Sequence, residues 1–286
     1  MGELQIQDVS EAVLASMTEE EFANWQRQQG MRFICHRGRY WEELRPGFYQ
    51  PIHLLARLSA EQATRPAPLC WGFRSALCED DVGAANGSIP IHLLSNFKGY
   101  DLQSLPSHRR NHVRKCRKRV KLVQLINSAL LQEQGYEVVC SAIARTAHLT
   151  VPQPESYQAS LVNYISPGHR LVLAGLIDCK LGGYITGYAV SGTAYIENVY
   201  IATEALPTSI GSGLIFEFMQ ACYRCGAIGE VVYGQHSRED QSLCLFKEEM
   251  GFPVKLIPGK IRMNPIIAQY MRWRYPHKYY RLTGHN

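Results

Sequence analysis

A chain of 286 residues that is 46% apolar and 19% charged has the apolar surface for one large or two modest folded domains, which excludes a disordered polymer. No apolar run approaches the roughly 18–20 residues of a membrane span, and the N-terminal run MGELQIQDVSEAVLASMTEEEF has no basic segment ahead of an apolar core, so the expected location is the cytoplasm. The net charge is only +5, and nine cysteines without regular spacing fit reduced thiols better than a disulfide framework.

In chain order, residues 8–29 carry a helical rhythm (Val13, Leu14, Met17, Phe22, Trp25) that ends near Gly30. MRFICHRGRYWEEL, FYQPIHLLARL and LCWGFRSAL read as three strands, 80–88 as a loop, and 89–94 as a further short strand. Helical patterns cover 127–147, with a break near Gly135, and 154–165. Three runs, RLVLAGLID, LGGYITGYAV and YIENVYI, then follow at hairpin spacing and predict consecutive antiparallel strands. EVVYG is a short buried-type strand, 241–250 a helix capped by Gly251, and VKLIPGKIRM a final hairpin.

Between these lies the most charged block. Arg109, Arg110, Arg114, Lys115, Arg117, Lys118, Arg119 and Lys121 put eight cations in thirteen residues without an acid, so the rest of the chain sums to −3. Helical spacing aligns Arg110, Arg114, Arg117 and Lys121, with Val113 and Cys116 facing inward. Either this is a solvated face, or it serves a polyanion through Arg109, Arg110, Arg114, Arg117 and Lys118. No metal is expected. Cations surround His108 and His112, and Cys222 and Cys225 fall in a predicted helix without a second pair at zinc-finger spacing.

The stretch 193–219, TAYIENVYIATEALPTSIGSGLIFEFM, reads as strand, loop and helix. Gly211 and Gly213 flank Ser212 where the helix opens, and a helix N-terminus offers unpaired N–H donors to an anion. Neither the dinucleotide nor the P-loop fingerprint is met, so a tight turn and a phosphate loop both stay open.

The order of three antiparallel strands, glycine loop, helix, strand and short helix ending in Gly251-Phe252 resembles the GNAT acyltransferase superfamily over about residues 169–262. A second resemblance, to the Fem-type branch of two packed GNAT-like units, rests on the basic run from Leu105 to Lys118 and the later Gln134-Gly135-Tyr136-Glu137. The resemblance implies a mixed α/β (α+β) fold with a mainly antiparallel sheet flanked by helices, as two tandem units. Residues 1–125 would be a degenerate first unit, and 126–286 the acyltransferase unit with an aromatic, basic tail. It further implies an N-acyltransferase with acyl-CoA, acetyl-CoA foremost, as co-substrate and an amine-bearing small molecule or peptide as acceptor. Some Fem-like members use aminoacyl-tRNA, so tRNA is the alternative partner. The donor would engage Val199, Ile201, Thr208, Ile210, Gly211, Ser212 and Gly213. Thr208 stands where the family has Arg or Gln, and Phe246 where it often has a tyrosine acid, which leaves an inactive binding module as a third alternative.

Acyl transfer to an amine needs a neutral amine, a polarised carbonyl and a protonated leaving group. Glu197 is the expected base, and the Val199 backbone the carbonyl donor. Tyr233, with His236 behind it, is the expected acid. Strand alternation sets Asn198 and Tyr200 on the face opposite Glu197. Cys244 reads as helix packing. The tail from 264 onward interleaves Tyr270, Trp273, Tyr275, Tyr279 and Tyr280 with Arg272, Arg274, Lys278 and Arg281, suited either to stacking and phosphate contacts or to packing back on the domain.

Overall fold

A computed structural model describes residues 5–146, 150–166 and 168–285. Of the expected helix over 127–147, residue Ala147 lies outside the described residues, as do Met1–Leu4 of the N-terminal run and Asn286 of the tail.

The chain begins with β1 (Ile6–Asp8) and β2 (Ser16–Met17), then α1 (Glu19–Gln28). The helical rhythm over 8–29 is thus realised as an α-helix only over Glu19–Gln28. Ser16 and Met17 pair with Ala189 and Val190, which commits that backbone to a sheet. Thr18 then caps α1: its hydroxyl accepts from Glu21 N at 3.2 Å while Glu21 Oε2 accepts from Thr18 N at 2.7 Å.

Next come β3 (Phe33–His36), β4 (Arg39–Arg45), β5 (Phe48–Pro51), β6 (Arg57–Leu58), β7 (Gly72–Leu77) and β8 (Gly87–Ser95). MRFICHRGRYWEEL is therefore a hairpin and not one strand. Its turn is Arg37-Gly38, both at positive φ, 50° and 73°.

The basic block forms α2 (Ser107–Arg119), and Lys121 belongs instead to β9 (Lys121–Leu125). After a π-helical turn over Leu131–Gly135 come α3 (Tyr136–Ile143), α4 (Pro154–Ser160), β10 (Leu171–Ile177), β11 (Lys180–Val190) and β12 (Thr193–Ile201). A 3-10 turn, Thr203–Thr208, leads into α5 (Ile210–Cys225), β13 (Glu230–Gln235), α6 (Gln241–Glu249), β14 (Val254–Met263), α7 (Pro265–Arg274) and α8 (Pro276–Thr283). The expected hairpin in VKLIPGKIRM is one strand. β14 pairs with β8 from Val254 to Gly259 and with β7 from Gly259 to Met263, so Pro258-Gly259 crosses without turning.

Two compact units are built from interleaved segments. The first comprises residues 1–17, 94–232 and 249–251; the second comprises 18–93, 233–248 and 252–286.

In the first unit the strand order is β1-β9-β10-β11-β12-β13, with β2 beside β11. All neighbours are antiparallel except β12–β13 and β11–β2. α5 packs on the sheet with an almost wholly apolar face, including Leu214, Ile215, Phe218 and Met219, which are fully buried. α2 lies across α5, and its Val113 and Cys116 face inward at 0% exposure, as the spacing predicted.

In the second unit the order is β8-β14-β7-β5-β4-β3, with β6 beside β7. Its core includes Trp41, Tyr49, Leu58, Phe73 and Leu77. The expected mixed α/β fold, a mainly antiparallel sheet flanked by helices, is the fold observed. Among the described residues no helix is long and apolar enough to cross a membrane.

Candidate functional site

The first unit carries its most organised polar cluster on β12. Gly187 pairs with Ile196 and Thr186 with Asn198, so Glu197 is the extra residue of a β-bulge. On the other edge, the parallel ladder to β13 ends at Tyr195 and Val232. Arg170, only 7% exposed, grips both carboxylate oxygens of Glu197 at 2.9 and 2.8 Å. The guanidinium is itself held, over the Tyr164 ring at 4.1 Å and by donating to the Tyr164 carbonyl at 3.0 Å.

The bulge overturns the alternation argument for this strand. The Thr186 hydroxyl donates to Glu197 Oε2 at 3.2 Å and accepts from Asn198 Nδ2 at 3.4 Å, and Tyr200 OH donates to Asn198 Oδ1 at 3.3 Å. Glu197, Thr186, Asn198 and Tyr200 therefore form one chain of hydrogen bonds. Burial, and next the Glu197 charge, push the Tyr164 and Tyr200 phenols up, so both keep their protons. The Tyr184 ring packs tilted against Tyr200 with centroids 5.4 Å apart, and burial drives its phenol well above the ordinary tyrosine range. Arg170, Thr186 and Tyr164 were missed from sequence because they come from three separate segments, and only the bulge converges them.

The expected donor loop is only partly gathered. Ile201 and Gly211 meet, since a Cβ on Gly211 would lie 2.7 Å from Ile201 Cδ1, while Ile210 is buried with its side chain against Gly175. Thr208 turns its hydroxyl back to the Ala205 carbonyl at 2.7 Å. Ser209 takes the left-handed conformation ahead of α5, and its carbonyl accepts from the N–H groups of Ser212 and Gly213. Ser212 is buried, and Val199 on β12 is half-buried. Gly213 faces α2, where a Cβ would fall 2.3 Å from Cys116 Sγ, so helix–helix contact demands a glycine there.

α2 sorts its cations by partner. Arg109 donates to Glu249 at 2.9 and 2.6 Å, joined there by His108 at 3.2 Å, and these bonds hold the Glu249 carboxyl below its usual range. Arg117 donates to Glu217 on α5 at 3.1 and 2.7 Å. Arg110 is spent on the carbonyls of Gln103 and Leu105. Arg114, Lys115, Lys118 and Arg119 are exposed, with no hydrogen bond or ion pair among the described residues.

Tyr233 and His236 belong to the second unit. Tyr233 is buried against Phe252, with Lys247 Nζ 4.8 Å from its ring centre, and burial pushes its phenol up beyond the usual range. His236 lies against His92 and Cys244, and burial, then the Arg238 charge, lower its basicity. The tail helices α7 and α8 pack into this unit. With β5 and β7 they line an open cleft of about 640 Å³ whose walls include Arg74, Trp71, Tyr270, Tyr275, Lys278 and Arg281. Pro276 starts α8 at its first turn.

No family model and no curated protein matches the chain. Among solved structures, FemX superposes with a TM-score of 0.61 at 9% identity, over 92% of this chain and 96% of that one. The C-terminal domain of a putative lysylphosphatidylglycerol synthetase from Agrobacterium fabrum gives 0.57 at 12% identity, over 93% of each chain. L-PGS from Bacillus licheniformis gives 0.54 at 11% identity, over 95% of this chain and 99% of that one. These are likenesses of fold, and the fold is GNAT-like.

Proposed function

We propose that this chain is an acyltransferase that moves an acyl group from a carrier to an amine by direct attack. The observation that carries this reading is the Glu197 network, built on a β-bulge where the parallel β12–β13 ladder stops. In the reaction the amine nitrogen bonds to the acyl carbon, the carbon–sulfur or carbon–oxygen bond to the carrier breaks, and the amine's proton must be removed while the leaving atom gains one.

A carboxylate offers about four acceptor positions. Arg170 and Thr186 occupy three of those on Glu197, so one on Oε1 is left for the incoming amine. Glu197 thereby orients the amine and takes its proton directly or through water. The Val199 backbone polarises the acyl carbonyl. Tyr200, a protonated phenol in the same network, is the donor to the leaving atom.

For the carrier, this reading takes acyl-CoA, its pyrophosphate at the start of α5 beside Ile210 and Gly211. A second reading, an aminoacyl group on tRNA, is favoured by the four exposed and unpaired cations of α2. One experiment separates the two. Melting temperature is followed with acetyl-CoA and with aminoacyl-tRNA at two salt concentrations, alongside transfer to a panel of amines. Saturable, salt-tolerant stabilisation by acetyl-CoA supports the first reading, and salt-sensitive binding of charged tRNA the second. Stabilisation by neither, with no transfer to any amine, leaves a binding module and sinks both.

A further inference from the structure

We propose that His92, His236 and Cys244 form a zinc site in the second unit, independent of the acyl-transfer reading. The three side chains come from β8, the loop after β13, and α6. His92 Nε2 lies 3.4 Å from His236 Nδ1, which lies 3.4 Å from Cys244 Sγ, and all three ligand atoms fall within 4.8 Å of one another. Tetrahedral Zn²⁺ with bonds of 2.0–2.3 Å separates its ligand atoms by about 3.3–3.7 Å, so only small movements are needed. Two imidazoles and a thiolate suit zinc chemically and leave the fourth position open.

The ligand tautomer is already fixed at one position. His92 Nδ1 faces the Phe252 carbonyl at 3.0 Å, and a carbonyl only accepts, so the proton is on Nδ1 and the Nε2 lone pair points into the cluster. His92 is fully buried on a central strand, which holds that lone pair rigidly. Cys244 Sγ now donates to the Ser237 carbonyl at 3.1 Å. Zinc binding replaces that bond, and the thiol proton leaves to solvent.

The test is Co²⁺ and Zn²⁺ titration of the full chain, with the exposed Cys35 and Cys179 replaced by serine in every sample. One equivalent of Co²⁺ should bind, giving a thiolate-to-metal charge-transfer band and the visible bands of a tetrahedral ion, and one equivalent of Zn²⁺ should displace it. Cys244→Ser should abolish the charge-transfer band. His236→Ala, at a half-exposed position, should weaken Zn²⁺ by more than about 100-fold. Absence of a stoichiometric site, or Co²⁺ spectra and Zn²⁺ affinity unchanged in both variants, overturns the proposal. Circular dichroism of each variant ensures that a lost site is not a lost fold.

Discussion

Arg170 and Glu197, 27 residues apart, meet in a bidentate ion pair in which the arginine side chain is buried and the carboxylate is not. Such a pair is oriented from one side, so the carboxylate keeps an open face while its position is fixed. Arg170→Met should therefore destabilise the protein by about 2 kcal/mol, because the guanidinium's bonds to Glu197 and to the Tyr164 carbonyl are lost together. Urea unfolding measures the loss, and a double-mutant cycle with Glu197→Gln should return a coupling of about 1–2 kcal/mol. A coupling near zero would contradict the pair's role.

Glu197→Gln keeps the shape of the side chain but removes its charge and proton affinity. Under the acyl-transfer reading, turnover should fall by about 10² or more, with a stability change below about 1 kcal/mol. Steady-state kinetics with the best amine of the panel tests this, and full activity in the variant would remove Glu197 from the chemistry.

The two glycines at the start of α5 should respond differently. Gly213→Ala puts a Cβ 2.3 Å from Cys116 Sγ between two packed helices, so about 1–3 kcal/mol of stability should be lost and partly recovered by adding Cys116→Ala. Gly211→Ala meets only the flexible end of Ile201, so its cost should be smaller. Chemical denaturation of the three variants and the parent gives both comparisons, and equal costs at the two glycines would refute this assignment.

Neutralising Arg114, Lys115, Lys118 and Arg119 to glutamine should leave stability within about 0.5 kcal/mol per site. If tRNA is the carrier, the slope of log affinity against log salt should become shallower by about 3 to 4. Arg117→Gln should behave oppositely: it strips the partner from Glu217, which is 6% exposed, and so costs stability. Affinity and melting measurements on the two variants make the contrast.

Burial lowers His92 to about 4, against the ordinary 6.5. Between these values the unfolded chain binds a proton that the folded chain refuses, so metal-free protein should lose stability as pH falls from 6.5 toward 4, by at most about 3 kcal/mol from this residue. His236 and His112, also lowered by burial, act in the same direction. Unfolding curves at pH 7 and pH 5 for the parent and His92→Asn should show a smaller pH effect in the variant.

Strong local patterns carried most of the element types. Apolar alternation and turn residues such as Ser191-Gly192, both at positive φ, specify β10 to β12 without outside help. The apolar face of α5 and the Gly251 cap, at φ 94°, were equally local. The errors fell where the partner decides. Ser16 and Met17 continue a helical rhythm but pair with β11, and Pro258-Gly259 looks like a turn but is paired on its two sides by β8 and β7.

The candidate site divides along the same line. The sequence by itself determined that Glu197 sits on a strand before a glycine-opened helix, and that α2 is cationic with Val113 and Cys116 inward, because those properties follow from spacing along one segment. Only the tertiary structure decided that an extra residue in β12 joins Glu197 to Thr186, Asn198 and Tyr200, that Arg170 closes on it, and that Glu217 and Glu249 claim two of the α2 arginines. Those contacts depend on register and on partners distant in the chain, which no local period encodes.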